Sequence, residues 1–271
     1  MAKDRDLPPT DLDELRRNLE RLKLHAMLDH LDEALEQATT LEQGYVSFLA
    51  GLVKWQALAN ADTAAQRRIR TARFPRVKTF DTFDWTFQKG LNLQLVKDLQ
   101  NLHFIQQARP VLLLGKPGTG KSHLSTAYGI LAATSGYSVR FFSVSRLLAE
   151  LYASLADAST DRLIKRLARI DLIILDDLRY LPPKPEYAGL LFDLVDARHE
   201  RKSIIVSSNL SVKQWGKVLG NPGLTTSLVD RLMDRAHVIN IKRGISWRSQ
   251  GPESPPVEDR PADLQEPPTE E

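Results

Sequence analysis

The sequence predicts an α/β fold, a parallel sheet with flanking helices, preceded by a small all-helical N-terminal domain. Short apolar runs at residues 111–114, 139–144, 172–175, 204–206 and 238–241 alternate with helical stretches, the pattern of parallel strands joined by crossovers. The first of these runs leads into a glycine-rich loop and then into a helical pattern, so strand, loop and helix follow in one unbroken order. Ahead of residue 79 the apolar residues keep to helical spacing.

Taken in order, Thr10 and Asp13 read as an N-terminal capping box, and Leu12, Leu15, Leu19 and Leu22 then fall on one helical face. Leu24, Leu28, Leu31 and Leu35 continue the series. A further helix is expected over residues 41–72, with Tyr45, Phe48, Leu49, Leu52 and Trp55 as its apolar face. This helical domain is set at residues 1–78. It ends in Arg67, Arg68, Arg70, Arg73, Arg76 and Lys78, a run without an acid in which Phe74 and Pro75 are embedded. Six like charges this close repel one another, so the segment is read as a DNA contact in preference to a merely solvated helix face. Residues 79–87 hold Phe80, Phe83, Trp85 and Phe87, too aromatic for a free linker, and are expected to pack as a strap on the second domain, residues 79–248.

Gly115, Lys116, Pro117, Gly118, Thr119, Gly120, Lys121 and Ser122 spell G-x-x-x-x-G-K-[ST]. The glycines let backbone N–H groups turn toward a phosphate chain, Lys121 supplies a point charge and Ser122 a hydroxyl for Mg2+. Leu124, Ala127, Tyr128, Leu131 and Ala132 follow on one helical face, so a helix N-terminus points at the bound anion, expected to be ATP. Residues 172–175 form a buried strand ending in Asp176 and Asp177, where open parallel sheets present ligands. Asp176 is assigned to the magnesium shell through water and Asp177 to orienting or deprotonating the attacking water. Asn209, at the end of the next strand, is the candidate to hold that water or the terminal phosphate from the side. Arg231 is the candidate finger that completes a neighbour's site, with Arg248 a further candidate. Residues 145–169 are longer than one crossover helix needs. They are expected to hold an extra helix, with Arg162, Lys165, Arg166 and Arg169 on a basic, DNA-facing surface.

Composition bounds the rest. The 271 residues are 42% hydrophobic, ample for a packed core, and carry a net charge of +3. Residues 249–271 hold seven acids and one arginine, which leaves residues 1–248 at +9. A basic body points to a polyanionic partner. Six of the fifteen prolines lie in that acidic tail, which is expected to be disordered. No apolar run approaches the ~18 residues of a membrane span and no apolar signal core opens the chain, so neither a membrane nor export is expected. The absence of cysteine excludes disulfides and fits a cytoplasmic location.

The phosphate loop and the segments LIILDDLRYLP, ARHERKSIIVSSN, WGKVLG and DRLMDRAHVINIKRGISWR together resemble, in order and spacing, the IstB-like transposition helper ATPases, relatives of the DnaC-type helicase loaders within the AAA+ class. The likeness extends upstream through ARFPRVKTFDTFDW and leaves out little but the tail. It implies an AAA+ ATPase that forms a homo-oligomer on duplex DNA, largely without sequence preference, and recruits or activates the transposase of the same element. It also implies that the helical insert after the second strand faces DNA. One departure stands out: where the family places a glutamate as second acid, this chain has the shorter Asp177, which bears on the rate of hydrolysis. A replicative helicase loader on the same core is the alternative. A small-molecule phosphotransferase fits less well, because it has no evident use for the paired acids, Asn209 or the basic N-terminal domain.

Overall fold

Five parallel strands form in the computed structural model where the apolar runs predict them: β1 (Val111–Gly115), β2 (Val139–Ser143), β3 (Leu172–Leu178), β4 (Ser203–Ser208) and β5 (His237–Ile241). Their order across the sheet is β2-β3-β4-β1-β5. β4 therefore lies between the strand that leads into the glycine-rich loop and the strand that carries the two acids. Residues 10–86, 90–179, 184–219 and 221–241 are described. Arg248 and the tail at 249–271 lie outside them.

The pleat sends alternate residues to opposite faces, and both faces are covered. Leu112, Leu114, Ile173, Leu175, Ile204 and Val206 pack in one core with Leu147, Leu191 and Leu228. These come from α8 (Val144–Ala153), α10 (Pro185–Arg198) and α12 (Pro222–Met233). Val111, Leu113, Leu172, Ile174, Ile205 and Ile239 face the other core, which holds Leu124 and Tyr128 of α7 (Lys121–Thr134) and Phe83 of the strap. The short helices α5 (Leu93–Asp98) and α6 (His103–Gln106) add Val96, Phe104 and Ile105 to that second core. The Tyr128 hydroxyl, buried there, donates to Val96 O at 2.8 Å. Two helices fill the long crossover after β2, α8 and α9 (Thr160–Ala168), as its length requires. α11 (Trp215–Leu219) precedes α12 and contributes the buried Trp215.

The chain divides into two compact units between Arg67 and Arg68. The first contains α1 (Asp11–Arg21), α2 (His25–Asp29), α3 (Leu31–Thr40) and most of α4 (Tyr45–Ala72). The capping box forms, with Asp13 N donating to Thr10 Oγ1 at 3.2 Å and Thr10 N to Asp13 Oδ2 at 3.1 Å. Helical spacing located the helices but overstated their burial. Leu19, Leu31 and Leu52 form the core, whereas Leu12, Leu15, Leu22, Tyr45, Leu49 and Trp55 are exposed. A unit this small has too little interior to cover every apolar face that its helices offer.

One buried ion organises the sheet's lower end. Arg198, at the end of α10, is fully buried and donates to Leu167 O at 2.7 Å and Ser203 O at 2.6 Å, joining α9, α10 and β4. Burial pushes its pKa down and Asp171 opposes that shift. Arg198→Ala removes both donors and leaves two interior carbonyls without them. The expected cost is about 3 kcal/mol, or roughly 10 °C in melting temperature for a domain of this size. Thermal and urea unfolding measure it, and a loss below about 0.5 kcal/mol, the range of ordinary surface changes, would contradict this role.

Candidate functional site

The glycine-rich loop turns between the end of β1 and the first residue of α7. Gly120 adopts φ +88°, which a side chain would strain, and hands the chain to the helix with its carbonyl accepting from Leu124 N at 2.9 Å. Lys121 Nζ donates to Gly115 O and Lys116 O, each at 2.7 Å, so the ammonium folds back over its own loop. Thr119 is fully buried and its hydroxyl donates to Lys116 O at 2.9 Å. Lys116, Pro117 and Ser122 are exposed. Glycines at positive φ, a lysine and a hydroxyl at a helix N-terminus make a donor set suited to a polyphosphate with Mg2+.

The strap supports this loop from outside. Phe83 is buried, and a Cβ added at Gly120 would come within 2.7 Å of its Cε2 atom. His123, in the first turn of α7, packs edge-on to Phe83 with ring centroids 5.1 Å apart. Its Nε2 lies 2.8 Å from Thr79 O, and because a carbonyl only accepts, the proton is on Nε2. Burial lowers the His123 pKa, the bond to Thr79 opposes this and Lys78 adds to it. Phe80, Phe83 and Trp85 therefore pack as a strap, as expected, but Phe83 is set against the phosphate loop itself, which residue spacing alone could not show; Phe87 lies outside the described residues.

The acids occupy an irregularity that the sequence did not reveal. β3 does not end at Asp176 and Asp177: Leu175 pairs with Val206, Leu178 pairs with Ser208, and the two acids together oppose Ser207. Two residues against one make a β-bulge, with Asp177 in the left-handed region at φ +65°. Ser207 repairs the broken ladder. Its hydroxyl accepts from Asp177 N at 2.9 Å and donates to Asp176 Oδ1 at 2.5 Å. Ser208 does the same one residue on, donating to Leu178 O at 2.6 Å. Asp177 Oδ2 meets Arg179 Nε at 2.9 Å. Ser207 was not singled out from the sequence, and the only signal for it was a buried strand that closes on two hydroxyls.

Register brings the pieces to one edge. Ser207 pairs with Leu113 and Ser208 with Leu114, so the ends of β3 and β4 lie level with the start of the phosphate loop. Asn209 follows β4 directly and is exposed at that same edge. Arg231 lies elsewhere. It is in the last turn of α12, paired with Asp196 at 3.2 Å, and borders a groove of about 370 Å3 with Phe192, His199, Ser227, Asp230 and Asp234. A second cavity shared by Arg231 is lined by residues 107–110, which precede β1, and so belongs to the opposite end of the sheet. Arg67, Arg68 and Arg70 end α4, with Arg73 just beyond it. Arg68 is partly engaged with Ala133 O at 3.4 Å. α9 buries Leu163, Ile164 and Leu167 and exposes Arg162, Lys165 and Arg166, with Arg169 following. Lys165 is paired with Asp161 and Arg166 with Glu150. Among the described residues no group of three or more histidines or acids stands close enough together to hold a metal ion.

A family model described as IstB-like ATP binding protein matches residues 17–253. The chain is 37% identical over 235 residues to a Pseudomonas aeruginosa protein named as the ATP-binding protein of insertion sequence IS21, covering 87% of this chain and 88% of that one. It is 33% identical over 235 residues to the counterpart from insertion sequence IS232 of Bacillus thuringiensis subsp. berliner, covering 87% and 94%. Among solved structures, the DnaC helicase loader superposes with a TM-score of 0.50 at 16% identity, covering 62% of this chain and 99% of that one. That likeness shows the fold, a parallel sheet with flanking helices.

The contact between strap and loop is testable by a double-mutant cycle. Gly120→Ala meets both the positive φ and Phe83, and Phe83→Ala opens a cavity that costs about 3 kcal/mol alone. Combined, the new methyl finds the space that the ring vacated, so the pair should fall short of additivity by about 1 kcal/mol or more. Urea unfolding of the four proteins reports this, and strict additivity would mean that Phe83 does not bear on Gly120.

Proposed function

The chain belongs to the family of IstB-like ATP-binding proteins, and on that premise we propose that it is a DNA-binding helper ATPase of transposition. In this reading it oligomerises on duplex DNA with ATP bound and recruits or activates a partner transposase, and hydrolysis resets the assembly. Above all, Ser207 ties Asp176 and Asp177 together at the sheet edge from which the phosphate loop leaves, which supports hydrolysis and not binding alone. The names of the insertion-sequence relatives favour transposition over helicase loading.

Each residue then has a task. The loop amides and the Lys121 ammonium bind the phosphates of the substrate ATP. The Ser122 hydroxyl and, through water, Asp176 would hold Mg2+, which supplies charge neutralisation when bound. Ser207 holds one oxygen of the Asp176 carboxylate and so fixes its orientation. Asp177 takes the proton of the attacking water, with its reach set by the bulge in place of the methylene that a glutamate would add. Asn209 orients the water from the neighbouring strand. Arg231, at the far end of the sheet, serves the site of an adjacent subunit, which makes assembly a condition of turnover.

A mixing experiment tests the whole assignment. Asp177→Asn should lower ATP turnover by about 10²- to 10⁴-fold while nucleotide affinity stays near that of the unaltered chain. Arg231→Ala should be comparably slow. Combined, the two proteins should regain part of the activity, because an Arg231→Ala subunit keeps its acid and an Asp177→Asn neighbour keeps its arginine. Failure to regain activity, with co-assembly confirmed by light scattering, would remove Arg231 from the mechanism. Normal turnover by Asp177→Asn would remove the proposed base.

A further inference from the structure

We propose that the end of the sheet opposite the phosphate loop holds a binding site for one small monovalent anion, of the size and charge of chloride, seated between Arg198 and Arg109. Three stretches of chain enclose a cavity there: residues 107–110 ahead of β1, the end of α10 with the start of β4, and the end of α12. Its volume is about 20 Å3. That is room for a group little larger than a water molecule, and too little for sulfate or phosphate.

Arg198 supplies the buried charge. Its guanidinium is fully inside, where Nη1 and Nη2 donate to the carbonyls of Leu167 and Ser203, and Nη2 also reaches Asp171 O at 3.4 Å. All three acceptors are neutral. The Asp171 carboxylate is engaged elsewhere, accepting from Lys202 Nζ at 2.5 Å and from the Ser138 N–H and hydroxyl at 2.9 and 2.7 Å. Arg198 lines the cavity, and its Nε has no hydrogen-bond partner among the described residues. A fully buried cation is stable only where an opposite charge or a complete set of acceptors offsets its lost hydration. The carbonyls meet part of that need, and an anion in the cavity meets the rest.

Arg109 repeats the pattern from the segment ahead of β1. It is half-buried, its Nε is also buried without a partner among the described residues, and its backbone is fixed because Arg109 O accepts from Ser203 Oγ at 2.6 Å. Two guanidinium groups therefore line one cavity, each with a buried N–H left to donate. The surrounding charge has the same sign: Lys202, Arg231 and Arg235 border the cavity as well, against the acids Glu200 and Asp234. Both acids are exposed, and Asp234 lies 3.1 Å from His199, so neither serves as a buried counterion. His237, whose N–H donates to Pro110 O at 2.9 Å, registers the excess, because burial lowers its pKa and the Arg109 charge adds to the shift. An anion here joins the end of α12 to α10 and to the chain ahead of β1, so its first effect is on stability.

The test is thermal melting of the full chain without nucleotide, with potassium gluconate replaced stepwise by potassium chloride, alongside line broadening of the chloride NMR signal. Holding the ionic strength constant removes general screening. The melting temperature should rise saturably, by roughly 3–6 °C once chloride reaches about ten times its dissociation constant. The protein should broaden the chloride signal, bromide should reverse the broadening by competition, and sulfate and phosphate should not. Arg198→Ala weakens the fold by itself, so Arg109→Met, which removes one guanidinium and keeps the apolar stem, is the deciding variant. It should lose about tenfold or more in chloride affinity, whereas Arg201→Met, exposed and outside the cavity, should keep it. No saturable response in the unaltered chain would overturn the proposal and leave water as the occupant. An undiminished response in Arg109→Met would do so too, and competition by sulfate as effective as that by bromide would overturn the assignment to a small anion. Neither nucleotide nor DNA enters the assay, so the outcome does not depend on the function proposed above.

Discussion

The Ser207 hydroxyl, placed between two acids that share a single bulge, is the contact on which the site's geometry depends. A non-glycine residue at φ +65° is strained by about 1–2 kcal/mol, and the bulge also takes the Asp177 N–H out of its ladder. An unsatisfied amide there would cost a further ~1–3 kcal/mol. Ser207 Oγ satisfies that amide and binds the Asp176 carboxylate in the same stroke. Aspartate is among the few residues that tolerate this conformation. The short second acid, which departs from the glutamate that the family resemblance leads one to expect, suits the bulge that carries it.

Because β4 lies between β1 and β3, the same strand that shapes the acids sets their level relative to the phosphate loop. The loop receives a second constraint from the strap. Phe83 stands on Gly120 and His123 ties the first turn of α7 to Thr79. A glycine-rich loop has many conformations to lose on binding a phosphate chain, and a wall on its outer side removes some of them beforehand. The strap follows the basic segment that Arg140 and Phe74 fix to the edge of β2. The nucleotide loop and the basic segment are therefore joined by one short stretch of chain.

Much of this was legible in the sequence, and what was missed has a common cause. Strand positions, the phosphate loop and the double helix after β2 follow from periodicity and spacing, which are local. The bulge is not local: Asp176 and Asp177 look like the end of a strand until β4 is laid beside them, and only then does Leu178 prove to pair with Ser208. Arg140 reads as one more polar residue in an edge strand, and only the folded chain shows that it donates to Thr71 O at the end of α4. The N-terminal leucines err in the opposite direction. Their spacing is that of a buried face, yet Leu12, Leu15 and Leu22 are exposed, because spacing records what a helix offers and not what is available to cover it.

Everything proposed for this chain requires that the loop hold a triphosphate with its metal. The most direct measurement is an equilibrium titration with a fluorescent ATP analogue, with and without Mg2+, on the unaltered chain and on Lys121→Ala. The account predicts one saturable site per chain, competed by ATP, tighter with Mg2+ and weakened by at least about 100-fold in the variant, since Lys121 is the buried ammonium at the start of α7 and the loop's other lysine, Lys116, is exposed. Equal affinity in a folded Lys121→Ala protein, or binding indifferent to Mg2+, would contradict it.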